Sequence, residues 1–573
     1  MEYNDFGSIS LIGGGPAALL MLKHIVDMDL RPDIINIFEK NDRLGVGMPY
    51  GKIGSLKEHI ANVSANELPK FLISFEEYLV QNPTQEFPEF SVNGRCNSYQ
   101  VIPRLLLGNY LEFIFKLYIK TAKSKGIKIF TYINTLILDI LNESDGKKYR
   151  LIDSRNNVHL TNKVILCTGH HWPKQFEEKI TGWYDSPYPP SKFETQSDYP
   201  IAIRGTSLTA IDAVKTHARL NGTYEIMSDG TLRYKLHPGS ENFRIHLFST
   251  GGYLPSLRFH SEDEPYSDDW TMTLDDIYEY KKRNNGFVDL DYVFEINFKQ
   301  PLRKKDQHFY ERIKDRSIEE FVEEMMSIRN ELNSFTFFKA EYTEAEKSIQ
   351  RRQSISWKET LSAFSYSMNY PAKHFSAEDM LRLQKILLPL ISIIIASLPQ
   401  SSYKEIIALY DAGIIDIIQV DKESFVEPHS KVGGIYHYRS IENKKICKHY
   451  HLYIDAIGQR PMEIQDLPFK GLRSQNLVSS AYLGFKERRN AEFLLEKNEA
   501  NVLKGENDNY YLKVPGLEIN DHFQSLNNYG QAVENLYIMA IPFIGGLNPD
   551  YSGLDFCDTA ANRISQFMQR NSL

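Results

Sequence analysis

Three consecutive glycines, Gly13, Gly14 and Gly15, followed by Pro16, Ala17 and Ala18, form the most chemically specific stretch of the chain. They follow an apolar run, Ser8-Ile9-Ser10-Leu11-Ile12, and lead into a segment with Leu19, Leu22, Ile25 and Val26 at helical spacing. At a strand-to-helix turn, glycines let the backbone approach a pyrophosphate. Its charge then rests on free N–H groups and on the positive end of the helix dipole. Ala18 stands at the third fingerprint position, where a small residue lets the helix pack on the strand. A second apolar run, Ile34-Ile35-Asn36-Ile37-Phe38, ends in Glu39, an acid placed to accept hydrogen bonds from the hydroxyls of an adenosine ribose. Strand, turn, helix, strand and acid in this order predict a dinucleotide site.

A related arrangement recurs at Pro200-Ile201-Ala202-Ile203-Arg204, which turns through Gly205, Thr206 and Ser207 into a helix carrying Ala210. Its own second strand, Arg244 to Thr250, ends without an acid. Nothing there would repel a 2′-phosphate, so the spacing mildly favours NADPH over NADH. Two further apolar runs end in small, flexible turns, one at Thr168 and Gly169 and the other at Gly458. From residue 260 to 412 the pattern changes to charged amphipathic stretches such as Ser317 to Met326, which read as helices with solvated faces. The apolar run Ile386 to Leu398 reads as a buried helix.

The elements that must position these turns therefore predict an α/β chain with two Rossmann-like dinucleotide-binding domains, in the layout of two-dinucleotide flavoproteins, and a large helical insertion. The expected order is a first part of the FAD domain over 1–195 and a first part of the NAD(P) domain over 196–260. The insertion follows over 261–412, with the return of the NAD(P) domain over 413–462 and the closing part of the FAD domain over 463–573.

Composition narrows the function classes. The 573 residues exceed what one core can hold. A net charge of -8 leaves no basic excess for nucleic acid, so none is expected as a partner. Cys96, Cys167, Cys447 and Cys557 lie too far apart for a CxxC redox pair or a zinc site of ordinary spacing, and no HExxH or HxxxH pattern occurs, so no metal is expected. Met1-Glu2-Tyr3-Asn4-Asp5 lacks the pattern of a secretory signal, and no apolar run is long enough to span a bilayer, so a cytoplasmic setting is expected.

Beyond the first fingerprint, three segments stand in a recognisable order: Leu44-Gly45-Val46-Gly47-Met48-Pro49-Tyr50-Gly51, then His59-Ile60-Ala61-Asn62-Val63-Ser64-Ala65-Asn66, then Ile102-Pro103-Arg104-Leu105-Leu106-Leu107-Gly108-Asn109-Tyr110-Leu111. With these the chain resembles the FAD/NAD(P)-binding protein family of the flavin monooxygenase-like superfamily, which includes bacterial amino-acid N-oxygenases that make nitrosuccinate. The resemblance implies FAD in the first unit, with Gly47 and Asn62 along the flavin, and NADPH or NADH in the second. It also implies oxygenation of a small substrate at an amine or amino-acid nitrogen. Two departures stand out. Ser249-Thr250-Gly251-Gly252 occupies the place where relatives carry paired arginines, leaving Arg204 or Arg258 as substitutes. Near the carboxyl end, Gly545-Gly546 lacks the usual GD aspartate, and a helix from Asp555 through Ile564 is expected to present its start to the flavin.

Arg104 and His170 are the candidate catalytic residues. A guanidinium beside the isoalloxazine would stabilise the negative charge of reduced flavin, and an imidazole at a strand end can move a proton. The insertion is expected to shield the flavin-side pocket, with Trp357 and Phe364 packed inward. Two other readings stay open: a flavin dehydrogenase or reductase without oxygen insertion, and a non-enzymatic nucleotide-sensing protein whose insertion binds a partner.

Overall fold

The computed structural model describes residues 6–90, 97–143, 148–262, 271–440, 442–497 and 499–571; Cys96 and residues 1–5 lie outside them. Two parallel sheets dominate. In the first, the strand Ser8–Ile12 lies between Lys163–Leu166 and Ile34–Phe38, and Lys128–Tyr132 extends the Ile34–Phe38 side. On the other side Ala532–Ile538 pairs in parallel with Lys163–Leu166 and carries the antiparallel edge strand Gln524–Leu526. Ile9, Leu11, Ile35, Ile37, Val164 and Ile165 have no solvent exposure, the pattern of strands covered on both faces.

The second sheet repeats this arrangement. Pro200–Arg204 lies between Tyr453–Asp455 and Arg244–Ser249, and Ile415–Gln419 extends the Arg244–Ser249 side. The outer strand on the other side is Trp183–Tyr184, paired in parallel with Tyr453–Asp455. This pair of residues sits in the second sheet, not in the first unit as the expected limit at 195 has it. A two-residue strand is too short to show a period, and only its partner 270 positions further on assigns it.

The helix Pro16–Asp27 forms because Pro16 supplies a preset φ at the first turn and Leu19, Leu20, Leu22 and Ile25 are all fully buried. Each such side chain contributes about 2 kcal/mol by leaving water. It packs against the long carboxyl-terminal helix Gly553–Arg570 and against Arg104–Ser124.

The inserted segment is helical, and its charged stretches start as expected: Ser317 and Glu320 form a reciprocal capping box at the head of Ile318–Glu331. It does not pack as one body. Ile277, Phe294, Phe321, Phe364, Leu387, Leu390 and Ile391 join the core of the first unit. Phe335, Phe338 and Ala345 of the helix Ser334–Arg351, with Ile406 and Leu409 of Gln400–Asp411, join the core of the second. The run Ile386 to Leu398 is not one regular helix. A π-turn over Leu383–Leu387 leads into the helix Leu388–Ile395, which Pro389 opens. Among the described residues no helix is long and apolar enough to cross a membrane, and no group of three or more His, Cys, Asp or Glu is placed to hold a metal ion.

Candidate functional site

The two glycine turns are built alike. Gly13 has φ +106° and donates its N–H to the Phe38 carbonyl at 2.9 Å. A Cβ there would stand 2.7 Å from the Cys167 carbonyl oxygen, so only glycine fits between the strands. Gly205 has φ +116°, donates to the Phe248 carbonyl at 2.8 Å, and would place a Cβ 2.6 Å from the Ala456 carbonyl oxygen. Each turn thus locks its strand between the two strands that flank it in its own sheet.

Around the first turn, a Cβ on Gly14 would meet Leu44 and Glu39, and one on Gly15 would lie 3.3 Å from the Gly47 Cα. Gly47, at φ +54°, approaches Pro16 closely. Gly15 caps the helix Pro16–Asp27 without a side-chain hydrogen bond, and the first turn carries no acid. Its N–H groups are therefore open to an anion. Ala17 and Ala18 are buried against the sheet. Glu39 is buried as well. Its Oε2 accepts the Gly14 N–H at 2.9 Å, and its Oε1 accepts both the backbone and side-chain N–H of Asn41 at 2.9 Å. Oε1 is thereby saturated, and Oε2 keeps one lone-pair direction for an outside hydroxyl. A cradle that a Cβ would fill, an uncapped helix start and a fixed acid suit a dinucleotide. Ser207 caps the helix Leu208–Asn221 in the same uncompensated way, with Thr206 buried beside it.

A cavity of about 550 Å3 lies where the two units and the insertion meet. The first unit lines it with Met48, Pro49, Tyr50, Asn62 and Arg104, and the second with Leu208, Thr209 and Gln459. The helix Ser356–Met368 supplies Glu359, Ser362, Ala363 and Tyr366, and Ile394 and Ile395 complete the insertion's wall. Phe364 packs inward with no exposure, and Trp357 is half-buried against the same core.

Thr168 and Gly169 follow the strand under Gly13, and Gly458 follows the strand under Gly205. The two turns clasp each other. Gln459 accepts from the His171 N–H at 3.1 Å, donates to the His171 carbonyl at 2.8 Å, and holds His170 Nδ1 at 2.7 Å through its Oε1. His170 therefore carries its proton on Nδ1, and burial pushes its pKa below the usual histidine value. It is a neutral ring packed on Trp172, in the cavity wall.

Arg104 does not present a free guanidinium. Its Nη1 pairs with Asp212 at 2.6 Å and its Nε donates to the Ile60 carbonyl at 3.0 Å. Tyr188 donates to the same Asp212 oxygen. Burial opposes the charge on both, but Arg104 beside Asp212 holds that carboxyl below the usual range. The pair joins the helix Arg104–Ser124 of the first unit to Leu208–Asn221 of the second. The proposed 2′-phosphate ligands are committed too. Arg258 pairs with Glu67 and donates to the Asn62 carbonyl at 3.1 Å, and Arg204 faces Asp455 at 3.5 Å. Asn62, at φ +50°, also donates weakly to the Ile395 carbonyl.

The closing segment departs furthest from expectation. Gly545 and Gly546 serve packing: a Cβ on the first would strike the Tyr551 ring, and one on the second the Pro515 carbonyl. Neither lines the cavity. The helix begins at Gly553, not Asp555, and Ser552, Gly553, Leu554 and Asp555 reach the cavity together with Asp550. Burial pushes the Asp550 carboxyl up to about 6. Burial, and then the charge of Asp550, push Asp555 up to about 7. No motif marks these acids in the sequence; the signal available was only their place at the head of the last helix.

Residues 10–171 match the FAD-NAD(P)-binding family model, and residues 273–395 match the YdhS-like middle domain model. The chain thus has an FAD-NAD(P)-binding domain, with FAD and NAD(P)H as its cofactors, and a helical middle domain. YdhS, an uncharacterized protein of Escherichia coli (strain K12), is 25% identical over 481 residues, covering 82% of this chain and 86% of its own. Among solved structures, the reduced form of ornithine hydroxylase (PvdA) from Pseudomonas aeruginosa is 12% identical, covers 99% of both chains and has a TM-score of 0.46. Bacillithiol disulfide reductase Bdr (YpdA) from Bacillus cereus is 9% identical, covers 98% of this chain and 99% of its own, and has a TM-score of 0.42.

Proposed function

We propose that the protein is an FAD-dependent oxidoreductase reduced by NAD(P)H, and that it oxygenates a small amine or amino acid. One observation carries this reading. The start of the helix behind Gly205, and the Met48 to Tyr50 segment that follows the Gly15–Gly47 contact, wall the same cavity, and the insertion closes a further side. In this reading Gly13 through Ala18 hold a pyrophosphate, Glu39 Oε2 takes a ribose hydroxyl, and Gly47, Asn62, Thr168 and Gly169 flank the flavin. Gly205, Thr206, Ser207 and Gly458 take the nicotinamide nucleotide. NADPH is favoured over NADH because no acid ends the strand Arg244–Ser249. Bound FAD supplies two-electron redox chemistry and, once reduced, reaction with O2. The chain's residues supply position and shelter: the helix starts neutralise phosphate charge, and Ala363, Tyr366, Ile394 and Ile395 exclude water. Widely spaced cysteines suit a reducing cytoplasm.

Two variants test the assignment. Gly15→Val drives its branches into the Gly47 backbone and is expected to give folded protein without flavin. Gly205→Val is expected to keep flavin and slow its anaerobic reduction by NADPH and NADH at least tenfold, read by stopped-flow absorbance. Normal flavin content in the first variant, or unchanged reduction in the second, removes the corresponding site. Oxygen uptake that tracks product formation across an amine panel tests the oxygenation.

A further inference from the structure

The turns that follow the strands under Gly13 and Gly205 meet in the cavity wall, where two residues belong to one unit by sequence and to the other by contact. His170 and Trp172 continue the first unit's turn at Thr168 and Gly169. The second unit holds both. His170 Nδ1 donates to Oε1 of Gln459, the neighbour of Gly458, at 2.7 Å, and the Trp172 ring packs on Tyr188 with centroids 5.0 Å apart. Tyr188 in turn donates to Asp212 on the helix Leu208–Asn221. A Cβ on Gly458 would lie 3.9 Å from Thr209 Oγ1, so this part of the wall stands beside the helix start behind Gly205.

Two polar atoms here have no partner among the described residues. Because Gln459 keeps the proton on Nδ1, His170 Nε2 is an open acceptor, and burial holds the ring neutral by pushing its pKa below the usual histidine value. Trp172 lies on this ring, with centroids 5.6 Å apart and planes 29° from parallel, and its indole N–H has no acceptor. Indole N–H groups away from water are normally taken; that of Trp183 donates to Asp185 Oδ1 at 2.7 Å. Both arginines of the cavity wall are likewise matched inside the protein, Arg104 by Asp212 and Arg258 by Glu67.

An open acceptor and an open donor on adjoining rings suit a group that carries both N–H and C=O, a primary carboxamide, and the rings suit a flat aromatic body. Nicotinamide combines the two. An isoalloxazine also presents N–H beside C=O, but the flavin side of the cavity is the Met48 to Tyr50 segment, whereas second-unit groups hold both rings here. We propose that His170 and Trp172 form the nicotinamide subsite, in which His170 Nε2 accepts from the carboxamide N–H and the Trp172 N–H donates to the carboxamide oxygen. The inference rests on the proposed function, which gives the second unit a nicotinamide nucleotide, and assigns the contacts of the ring itself.

The test uses the full-length, flavin-loaded protein and titration calorimetry with three ring forms, nicotinamide, 3-acetylpyridine and nicotinic acid, each on the NAD+ and NADP+ scaffolds. The acetylpyridine form keeps the carbonyl and loses the N–H donor, and the nicotinic acid form sets a carboxylate against the His170 lone pair. They are expected to bind about fivefold and at least tenfold more weakly than the nicotinamide form. His170→Phe keeps a ring and removes the acceptor; it is expected to bring the nicotinamide form down to the affinity of the acetylpyridine form and to leave the latter unchanged. Trp172→Phe is expected to weaken both about threefold and to keep the preference for the carboxamide. Flavin content and Tm are checked for each variant, and the wild-type series decides the matter where a variant does not fold. Equal affinity for all three forms in the wild-type protein, or an undiminished preference in His170→Phe, overturns the proposal alone. A folded His170→Phe protein that loses its flavin also overturns it, by putting the imidazole on the isoalloxazine. Failure of every dinucleotide to bind overturns the proposed function together with this subsite.

Discussion

The ion pair between Arg104 and Asp212 sits in nearly closed space, with 14% of the arginine side chain and 7% of the aspartate side chain exposed. Removing one member of such a pair leaves the other charged and unsolvated, which destabilises by about 3–5 kcal/mol. Asp212→Asn is therefore expected to lower Tm by several degrees in a thermal melt, while Arg104→Lys recovers the charge but not the second bond to the Ile60 carbonyl. An Asp212→Asn protein with wild-type Tm would show that the pair does not join the two units. The type of Arg104 and its helix were legible from the PRLLLGNYL segment, but its partner, 108 positions later on a different unit, was not. An arginine near a predicted cofactor reads as a ligand until the opposing acid is seen. The same limit hid Asp550 and Asp555, which belong to no motif and owe their chemistry to what surrounds them. Gly13 and Gly205 were legible because their demand is local: a positive φ beside a neighbouring strand's carbonyl.

Among the elements, the insertion's docking on the first unit depends on a polar knot. His374 Nε2 donates to Asp521 at 3.0 Å, Tyr278 donates to it at 2.8 Å, and Lys281 donates to His374 Nδ1 at 2.9 Å. Lys373 reaches the Asn520 carbonyl at 3.1 Å. Burial would raise the Asp521 carboxyl, but the hydrogen bond from His374 and the charge of Lys373 hold it well below the usual carboxylate range. The folded state thus binds this proton less readily than the unfolded chain, whose aspartates titrate near 3.9. The stabilisation is present in full above that value and is lost as pH falls through the folded value. Asp521→Asn is expected to lose about 1–3 kcal/mol at pH 7, with the gap to wild type narrowing below about pH 4 in denaturant titrations. A gap that stays constant down to pH 2 would contradict the assignment. Helical character over this region was legible from its periodicity. That its helices divide between two cores was not, because each apolar stripe reads the same whichever sheet receives it.

For the molecule as a whole, the division of the insertion between two cores means that the two units share more than a linker. Phe364 and Ile391 serve one core, and Phe338 and Leu409 serve the other, within one continuous inserted segment. The units are expected to melt together, as a single calorimetric transition in the flavin-loaded protein. Two resolved transitions would mean that the inserted helices pass no cooperativity between them. The α/β class with parallel sheets was legible from the apolar runs and their glycine turns; the order of strands within each sheet was not, because pairing partners lie up to hundreds of positions apart.

The strand Ala532–Ile538 completes the first sheet beside Lys163–Leu166, and the helix Gly553–Arg570 closes over Pro16–Asp27. This placement sets an order of events during synthesis. All five strands of the second sheet have been made once Asp455 has left the ribosome, whereas the first sheet, which begins at Ser8, must wait for Ile538. This first unit is therefore the later of the two to finish, and its strand Lys163–Leu166 stands without its outer neighbour while the 365 residues from 167 to 531 are translated. A chain ending at residue 531 holds every residue of the first glycine turn and Glu39, yet it is expected to purify without flavin, while its segments 183–255 and 415–455, which carry the second sheet, resist protease. Flavin retention by that truncated chain would show instead that the cradle is complete without its final strand.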